Sequence, residues 1–129
     1  MKLNHDCVRA LLLYLEENLE FDNALSVSEI IIDEFDSQDI MYSAFKLYEA
    51  DYISGQIVPQ MNAYPGLKIN SITWEGHKFL DTIRDSKVWS NTKSVLSKVS
   101  STSISFASTV ASQVLSNIIS QSLGGQPII

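Results

Sequence analysis

Apolar residues recur at helical spacing over the first twenty positions of the chain. Asn4 is a typical N-cap residue, and Asp6 lies in the first turn, where the helix dipole favours an acidic side chain. The stripe that follows consists of Val8, Leu11, Leu12, Leu15 and Leu19. Because this spacing places the five residues on one face, the pattern predicts a first helix that ends near residue 20.

Two shorter helices are predicted next. Residues 26–29 have the form of a capping box, in which Ser26 bonds forward and Glu29 bonds back. With the apolar run 30–35 they predict a second helix of two or three turns, although the β-branched residues there also suit a strand. Asp36 or Ser37 is expected to cap a third helix. Its predicted inward face consists of Ile40, Met41, Ala44, Phe45, Leu47 and Tyr48.

The period of the pattern changes after Asp51. Residues 52–58 and 67–72 predict two strands, and proline and glycine residues between them supply a turn. Thr73 then caps a predicted helix that contains Phe79, Leu80 and Ile83. Three helices, a hairpin and a further helix occur in this order in winged helices. The predicted fold class is therefore α+β and mainly helical: a winged helix-turn-helix with a two-stranded wing, followed by a C-terminal helical tail.

The tail beyond Val99 has no charged side chain and repeats apolar residues at helical spacing, up to Gly124-Gly125 and Pro127. Serine and β-branched residues are poor helix formers, so this helix is expected to lie on a surface. Three surfaces remain open: copies of the same helix, which we favour, the chain's own winged-helix domain, and a membrane interface along residues 104–123. The residues predicted to mediate self-association are Phe106, Ala107, Val110, Ala111, Val114, Leu115 and Ile118.

The chain length predicts one core rather than two. With 129 residues, the chain is long enough to bury a single modest hydrophobic core. We predict a winged-helix domain over residues 1–86, a helical tail over 87–123 that serves oligomerisation, and a flexible C-terminus over 124–129.

Charge is distributed unevenly along the chain. Nine basic and fifteen acidic residues give a net charge of −6, the wrong sign for a general nucleic-acid binder. Residues 1–53 hold 3 basic and 12 acidic residues, a balance of −9, whereas residues 54–98 hold 6 and 3, a balance of +3. Acidic side chains around the first two helices are predicted to bind a basic protein partner, unless they serve solubility alone. They are Glu16, Glu17, Glu20, Glu29, Asp33, Glu34, Asp36 and Asp39.

DNA binding is the alternative that the predicted fold suggests. A winged helix normally inserts its third helix into the major groove and uses basic side chains of the wing on phosphates. The candidate contacts here are Gln38, Tyr42, Ser43, Lys46 and Lys68. Two cations among these five positions give only a shallow salt dependence, so we favour a protein partner over duplex DNA.

The sequence contains few residues suited to catalysis. The single cysteine, Cys7, excludes an internal disulfide framework, and His5 is two positions away from it, a spacing that does not share a helix face. His77 has no nucleophile at a catalytic spacing. The sequence has no P-loop, dinucleotide fingerprint or HExxH motif. We therefore expect a non-enzymatic protein without metal or cofactor, located in the cytoplasm because no signal peptide is apparent.

One segment resembles a known family. The run Thr73-Trp74-Glu75-Gly76-His77-Lys78-Phe79-Leu80-Asp81-Thr82-Ile83-Arg84-Asp85, together with the N-terminal residues 1–18, is similar to short phage and prophage proteins of Gram-positive bacteria. That family is of unknown function and regarded as winged-helix, and the resemblance covers most of residues 1–98. It implies a phage-type accessory protein in a bacterial host cell, whose partner would be a host protein. It implies no catalytic residues.

Overall fold

The computed structural model of the protein describes residues 1–61, 63–99 and 103–123. Its first helix, α1 (His5–Asn18), begins where the sequence predicts it, because the side chain of Asn4 accepts a hydrogen bond from the backbone N–H of Cys7. The face of α1 that turns inward is fully buried. It consists of Cys7, Val8, Leu11, Leu12 and Leu15.

The segment that follows α1 is not the predicted helix of two or three turns. It forms a short strand, β1 (Leu25–Ser26), and a single 3-10 turn (Val27–Glu29). The side chain of Ser26 makes no capping hydrogen bond, so the predicted capping box does not form. Leu25 pairs instead with Ile69 of a later strand. The β-branched residues 30–32 form neither the predicted helix nor the strand that they also suited.

The next elements are α2 (Ser37–Glu49), β2 (Ile53–Val58) and β3 (Gly66–Ile72). Asp36 caps α2 by accepting a hydrogen bond from the N–H of Asp39. The predicted two-stranded wing is part of a three-stranded antiparallel sheet in the order β1-β3-β2. The sheet gains its third strand because β1 joins the edge of β3 that β2 leaves unpaired.

Helix α3 (Trp74–Ile83) follows β3 directly and is fixed to the end of α2. The hydroxyl of Thr73 accepts a hydrogen bond from Gly76 N–H and donates one to the carbonyl oxygen of Asp51. Gly76 lies so close to the carbonyl oxygen of Tyr52 that a Cβ atom would overlap it. Phe79 packs its ring against that of Tyr52, with centroids 5.5 Å apart.

The C-terminal part forms two helices, α4 (Ser86–Leu96) and α5 (Ile104–Ser122). Helix α5 packs against α4 and α3 of the same chain, and Ile104, Ala107 and Ala111 are buried there. Of the three surfaces left open by the sequence, the first half of α5 therefore packs on the helices of its own chain. The predicted flexible C-terminus, 124–129, lies outside the described residues.

A single hydrophobic cluster connects the N-terminal and C-terminal helices. It includes Leu12 of α1, Leu80 of α3, Trp89 of α4 and Ala107 of α5. Core residues thus lie on both sides of the domain boundary predicted at residue 86. The architecture is α+β and mostly helical.

Candidate functional site

A groove of about 710 Å³ runs between α2 and the β2–β3 hairpin. Its volume is within the range of pockets that bind small molecules or peptide side chains. One wall is a stripe of α2 at helical spacing, and the other is formed by the hairpin and its connection. The described residues that line it include Gln38, Met41, Tyr42, Phe45, Lys46, Glu49, Val58, Gln60, Tyr64, Pro65, Leu67 and Lys68.

The α2 wall is apolar because this stripe of the helix is only partly covered by the core. Met41 and Phe45 are half-buried, and each contacts the core with one side while lining the groove with another. Tyr42 donates a hydrogen bond from its hydroxyl to the carbonyl oxygen of Met1 at 3.2 Å. This bond holds the N-terminus beside the groove and fixes the orientation of the ring.

The hairpin wall carries the most exposed aromatic side chain of the groove. Tyr64 lies in the connection between β2 and β3 and is 92% exposed. Met61, in the same connection, is 91% exposed. Large apolar side chains this exposed have no packing role in the described part of the chain. They are suited to contact with another molecule.

The groove has little net positive charge. Among the described residues that line it, Lys46 and Lys68 have the cationic side chains. Lys46 forms an ion pair with Glu49 at 3.0 Å and lies 5.3 Å from the centre of the Tyr42 ring. The hydrogen bond to Glu49 raises the pKa of Lys46, so this side chain stays protonated, but the carboxylate neutralises its charge locally.

Four of the five residues predicted to contact DNA meet in this groove: Gln38, Tyr42, Lys46 and Lys68. The fifth, Ser43, is only 1% exposed, so the prediction that it lies on the outer face of the helix is wrong. It lies on the buried side of α2, close to the buried Cys7 thiol. Burial raises the pKa of the Cys7 thiol, and the nearby Ser43 hydroxyl offsets this only in part.

The eight acidic residues predicted to form one face are divided between the two ends of α1. Glu16 and Glu20 line a hollow beside β3 and His77, whereas Asp36 and Asp39 act electrostatically on Cys7 near the start of α1. Glu16 is nine positions after Cys7 along the helix, a rise of about 13 Å. Of the remaining acidic residues, Glu17, Glu29, Asp33 and Glu34 are exposed.

Several of these acidic residues have structural roles. Glu16 forms a two-pronged ion pair with Arg84, which also bonds Asp81 at 2.8 Å. The hydrogen bonds from Arg84 lower the pKa of Glu16. Asp36 serves as the cap of α2.

The residues predicted to mediate self-association are divided along α5. Ala107 and Ala111 are fully buried within the chain, and Phe106 and Val110 pack against the same core. The buried alanines are therefore not available to a second copy, a correction to the sequence-based prediction. Val114, Leu115 and Ile118 are half-buried and lie outside the core cluster.

Other candidate chemistry is limited in the described residues. No three of their histidine, cysteine and carboxylate side chains lie close enough to hold a metal ion. None of the helices described is both long and apolar enough to cross a bilayer. Trp74 is 77% exposed, and Trp89 is buried and donates a hydrogen bond to Asp6 at 2.8 Å.

Sequence analysis missed the apolar character of the groove. Met41 and Phe45 were predicted to face inward, and they do so only in part. The signal was the hairpin connection, residues 60–66, which combines Met61 and Tyr64 with no charged residue. Such a connection is not typical of a solvent-exposed loop.

The fold and groove define a small α+β protein with an apolar cleft beside a helix and a hairpin. The chain belongs to the DUF2513 family, described as "Hypothetical protein (DUF2513)", whose sequence profile matches residues 2–103. An uncharacterized protein of Haemophilus influenzae is 32% identical over 123 residues, which cover 95% of this chain and 99% of that protein. No solved structure matches the chain.

Proposed function

We propose that this protein is a non-enzymatic binding module of winged-helix type that holds a segment of another protein in the groove between α2 and the hairpin. The order helix, strand, short turn, helix and two strands, with a three-stranded sheet, supports the winged-helix assignment. The position of the groove supports the site, because a winged helix uses the same helix and wing to contact its ligand.

The observation that carries this proposal is the lining of the groove. Met41, Phe45 and Tyr64 offer apolar and aromatic contacts, and such side chains dominate the energetics of protein interfaces. Phosphate backbones require cations, and the groove provides Lys68 and a Lys46 that Glu49 neutralises. Two phosphate contacts would give a salt slope of about 2 and weak binding.

The charge of the chain restricts the class of partner. Residues 1–53, which include the α2 wall, carry 3 basic and 12 acidic residues. A segment with an apolar anchor and flanking lysine or arginine residues would be attracted to a chain of net charge −6, and the attraction would raise its association rate. The resemblance of residues 73–85 to phage and prophage proteins extends the proposal to an accessory protein that binds a bacterial host protein.

A peptide-display selection on the full chain tests the groove. We expect the enriched peptides to combine aromatic or aliphatic anchors with basic residues. Tyr64→Ser should weaken their binding at least about tenfold, as loss of an interface anchor does. Phe21→Ser is the matched control, because Phe21 is 95% exposed but does not line the groove. Its affinity should equal that of the unmodified chain.

The second candidate is a DNA-binding regulator, which the meeting of Gln38, Tyr42, Lys46 and Lys68 in one groove favours. Fluorescence anisotropy with duplex DNA over a salt series distinguishes the two. A tight complex that weakens steeply with salt and is lost in Lys46→Ala or Lys68→Ala would establish the DNA regulator and contradict a protein-binding groove.

A further inference from the structure

Helix α5 is much longer than the helices that support it. Its 19 residues span about 28 Å, whereas the 10 residues of α3 and the 11 of α4 span about 15 and 16 Å. Helix α5 is therefore about 12 Å, or eight residues, longer than α4, the longer of these two helices. Burial follows this difference, since the buried residues of α5 are Ile104, Ala107 and Ala111, all in its first half.

The second half of α5 together with the residue that follows it, residues 112–123, is called the overhang. It continues the apolar stripe of the first half, because positions 104, 107, 111, 115 and 118 fall on one side of a helix. Within the described chain, its apolar side chains are half-buried or exposed, with Ile119 at 45% and Leu123 at 53%. They are Val114, Leu115, Ile118, Ile119 and Leu123.

The composition of the overhang does not favour a solitary helix. Serine, asparagine and β-branched residues make up most of it, and each has lower helix propensity than alanine or leucine. A short helical segment of such residues gains most of its stability from packing. The overhang is nevertheless helical up to Ser122. A covering surface would supply that packing.

We propose that the overhang pairs with the overhang of a second copy of this chain, antiparallel and about a two-fold axis. Charge supports this occupant, because the described residues 103–123 include no charged side chain while the chain carries −6 overall. Two copies meeting elsewhere along residues 1–53 would bring net negative charges together. Contact between two overhangs brings two uncharged surfaces together, and each overhang buries the apolar stripe of the other.

A membrane surface is a less suitable occupant. Helices that lie in a membrane interface combine an apolar face with lysine or arginine that attracts anionic headgroups. The overhang has no cation, and an anionic surface repels a chain of charge −6.

Sedimentation equilibrium of the full chain over a concentration series tests this pairing. We expect a reversible dimer whose dissociation constant rises at least about tenfold in Ile118→Glu and in Leu115→Glu, because each variant places two like charges in the pair. Gln113→Glu is the matched control, since it adds the same charge on the opposite side of α5 and should leave the dimer unchanged. Circular dichroism checks that all variants remain folded.

Three results would overturn the pairing. They are a chain that stays monomeric up to the highest soluble concentration, a dimer that Ile118→Glu and Leu115→Glu leave intact, and a monomer that floats with lipid vesicles. None of these results bears on the groove, because Tyr64 and the overhang belong to separate elements.

Discussion

Gly76 fixes helix α3 to the end of α2 by having no side chain. A Cβ at this position would overlap the backbone carbonyl oxygen of Tyr52 and contact the side chain of Ile72. The backbone N–H of Thr73 bonds that same carbonyl at 3.1 Å. Because the obstacle is backbone, a side-chain rotation cannot relieve the overlap, and α3 would have to move.

Replacing Gly76 with alanine is expected to destabilise the protein. Forcing extra volume into a packed site typically costs about 1–3 kcal/mol. In a chain of this length, each kcal/mol lowers the unfolding midpoint by roughly 3–5 °C. Thermal unfolding followed by circular dichroism measures the shift. Gly66→Ala is the control, because its Cβ would meet the flexible end of the Gln60 side chain at 3.0 Å and backbone only at an ordinary contact distance of 3.8 Å. An equal loss in both variants would contradict this account.

At the scale of elements, α5 belongs to the folded domain rather than to an appended tail. Its first half contributes Ile104, Ala107 and Ala111 to the core, and Ser103 caps it by accepting a hydrogen bond from the N–H of Phe106. The sequence predicted the helix and its apolar stripe. It did not indicate the surface covered, because the same stripe suits another copy, a membrane or the chain's own helices.

A chain that ends at Lys98 is therefore expected to be less stable, whatever its oligomeric state. Loss of the buried Ile104 side chain alone removes about 1.5–3 kcal/mol of burial free energy. The unfolding midpoint in urea should fall by a corresponding amount. A chain that ends at Leu123 retains all of α5 and should match the full chain. Equal midpoints for both truncations would show that α5 contributes nothing to folding.

The predicted second helix shows where local pattern is insufficient. The tetrapeptide 26–29 satisfies the sequence form of a capping box, yet Leu25 and Ser26 pair with β3 instead. Pairing depends on residues more than 40 positions away, and a local motif carries no information about them. Asn4 and Thr73, which cap helices that the core also supports, were predicted correctly, and Asp36 was one of the two caps predicted for α2. A helix cap is determined by residues that are close in the sequence, whereas the partner of a strand lies far away in the sequence.

At the scale of the whole molecule, polar contacts tie α1 to the C-terminal helices. Asp6 accepts a hydrogen bond from Trp89 and lies 3.0 Å from the Lys93 ammonium. Burial raises the pKa of Asp6, but the hydrogen bonds from Trp89 and Lys93 outweigh it, so the pKa is lowered. Arg9 of α1 donates hydrogen bonds to the carbonyl oxygens of Ile83, the last residue of α3, and of Arg84, which follows it.

These contacts predict a pH dependence of stability. A carboxyl group with a lowered pKa in the folded state stabilises it fully above its unfolded pKa of about 4. This contribution is lost as the pH falls through the lower folded value. Asp6→Asn should therefore reduce the fall in the free energy of unfolding as the pH is lowered. At pH 7 the variant should lose about 0.5–1 kcal/mol of this free energy, because Asp6 is half exposed and solvent screens its contacts.

Urea unfolding at several pH values between 2 and 7 measures this contribution. Asp33→Asn, which changes an exposed residue outside the helices, should keep the curve of the unmodified chain. If Asp6→Asn also kept that curve, the contacts of Asp6 with Trp89 and Lys93 would contribute nothing to the free energy of unfolding.

The contacts that fix α3 to the end of α2 affect what family membership implies about the ligand. Thr73, Gly76, Phe79 and Arg84 all hold helices together. The groove is built from other stretches, residues 38–49 and 58–68. The family match spans residues 2–103 and therefore includes both this frame and the groove. A relative that keeps the frame residues but differs at the groove would share the fold without sharing the ligand. Specificity within the family should be compared at the groove positions, where substitutions alter binding and leave the scaffold intact.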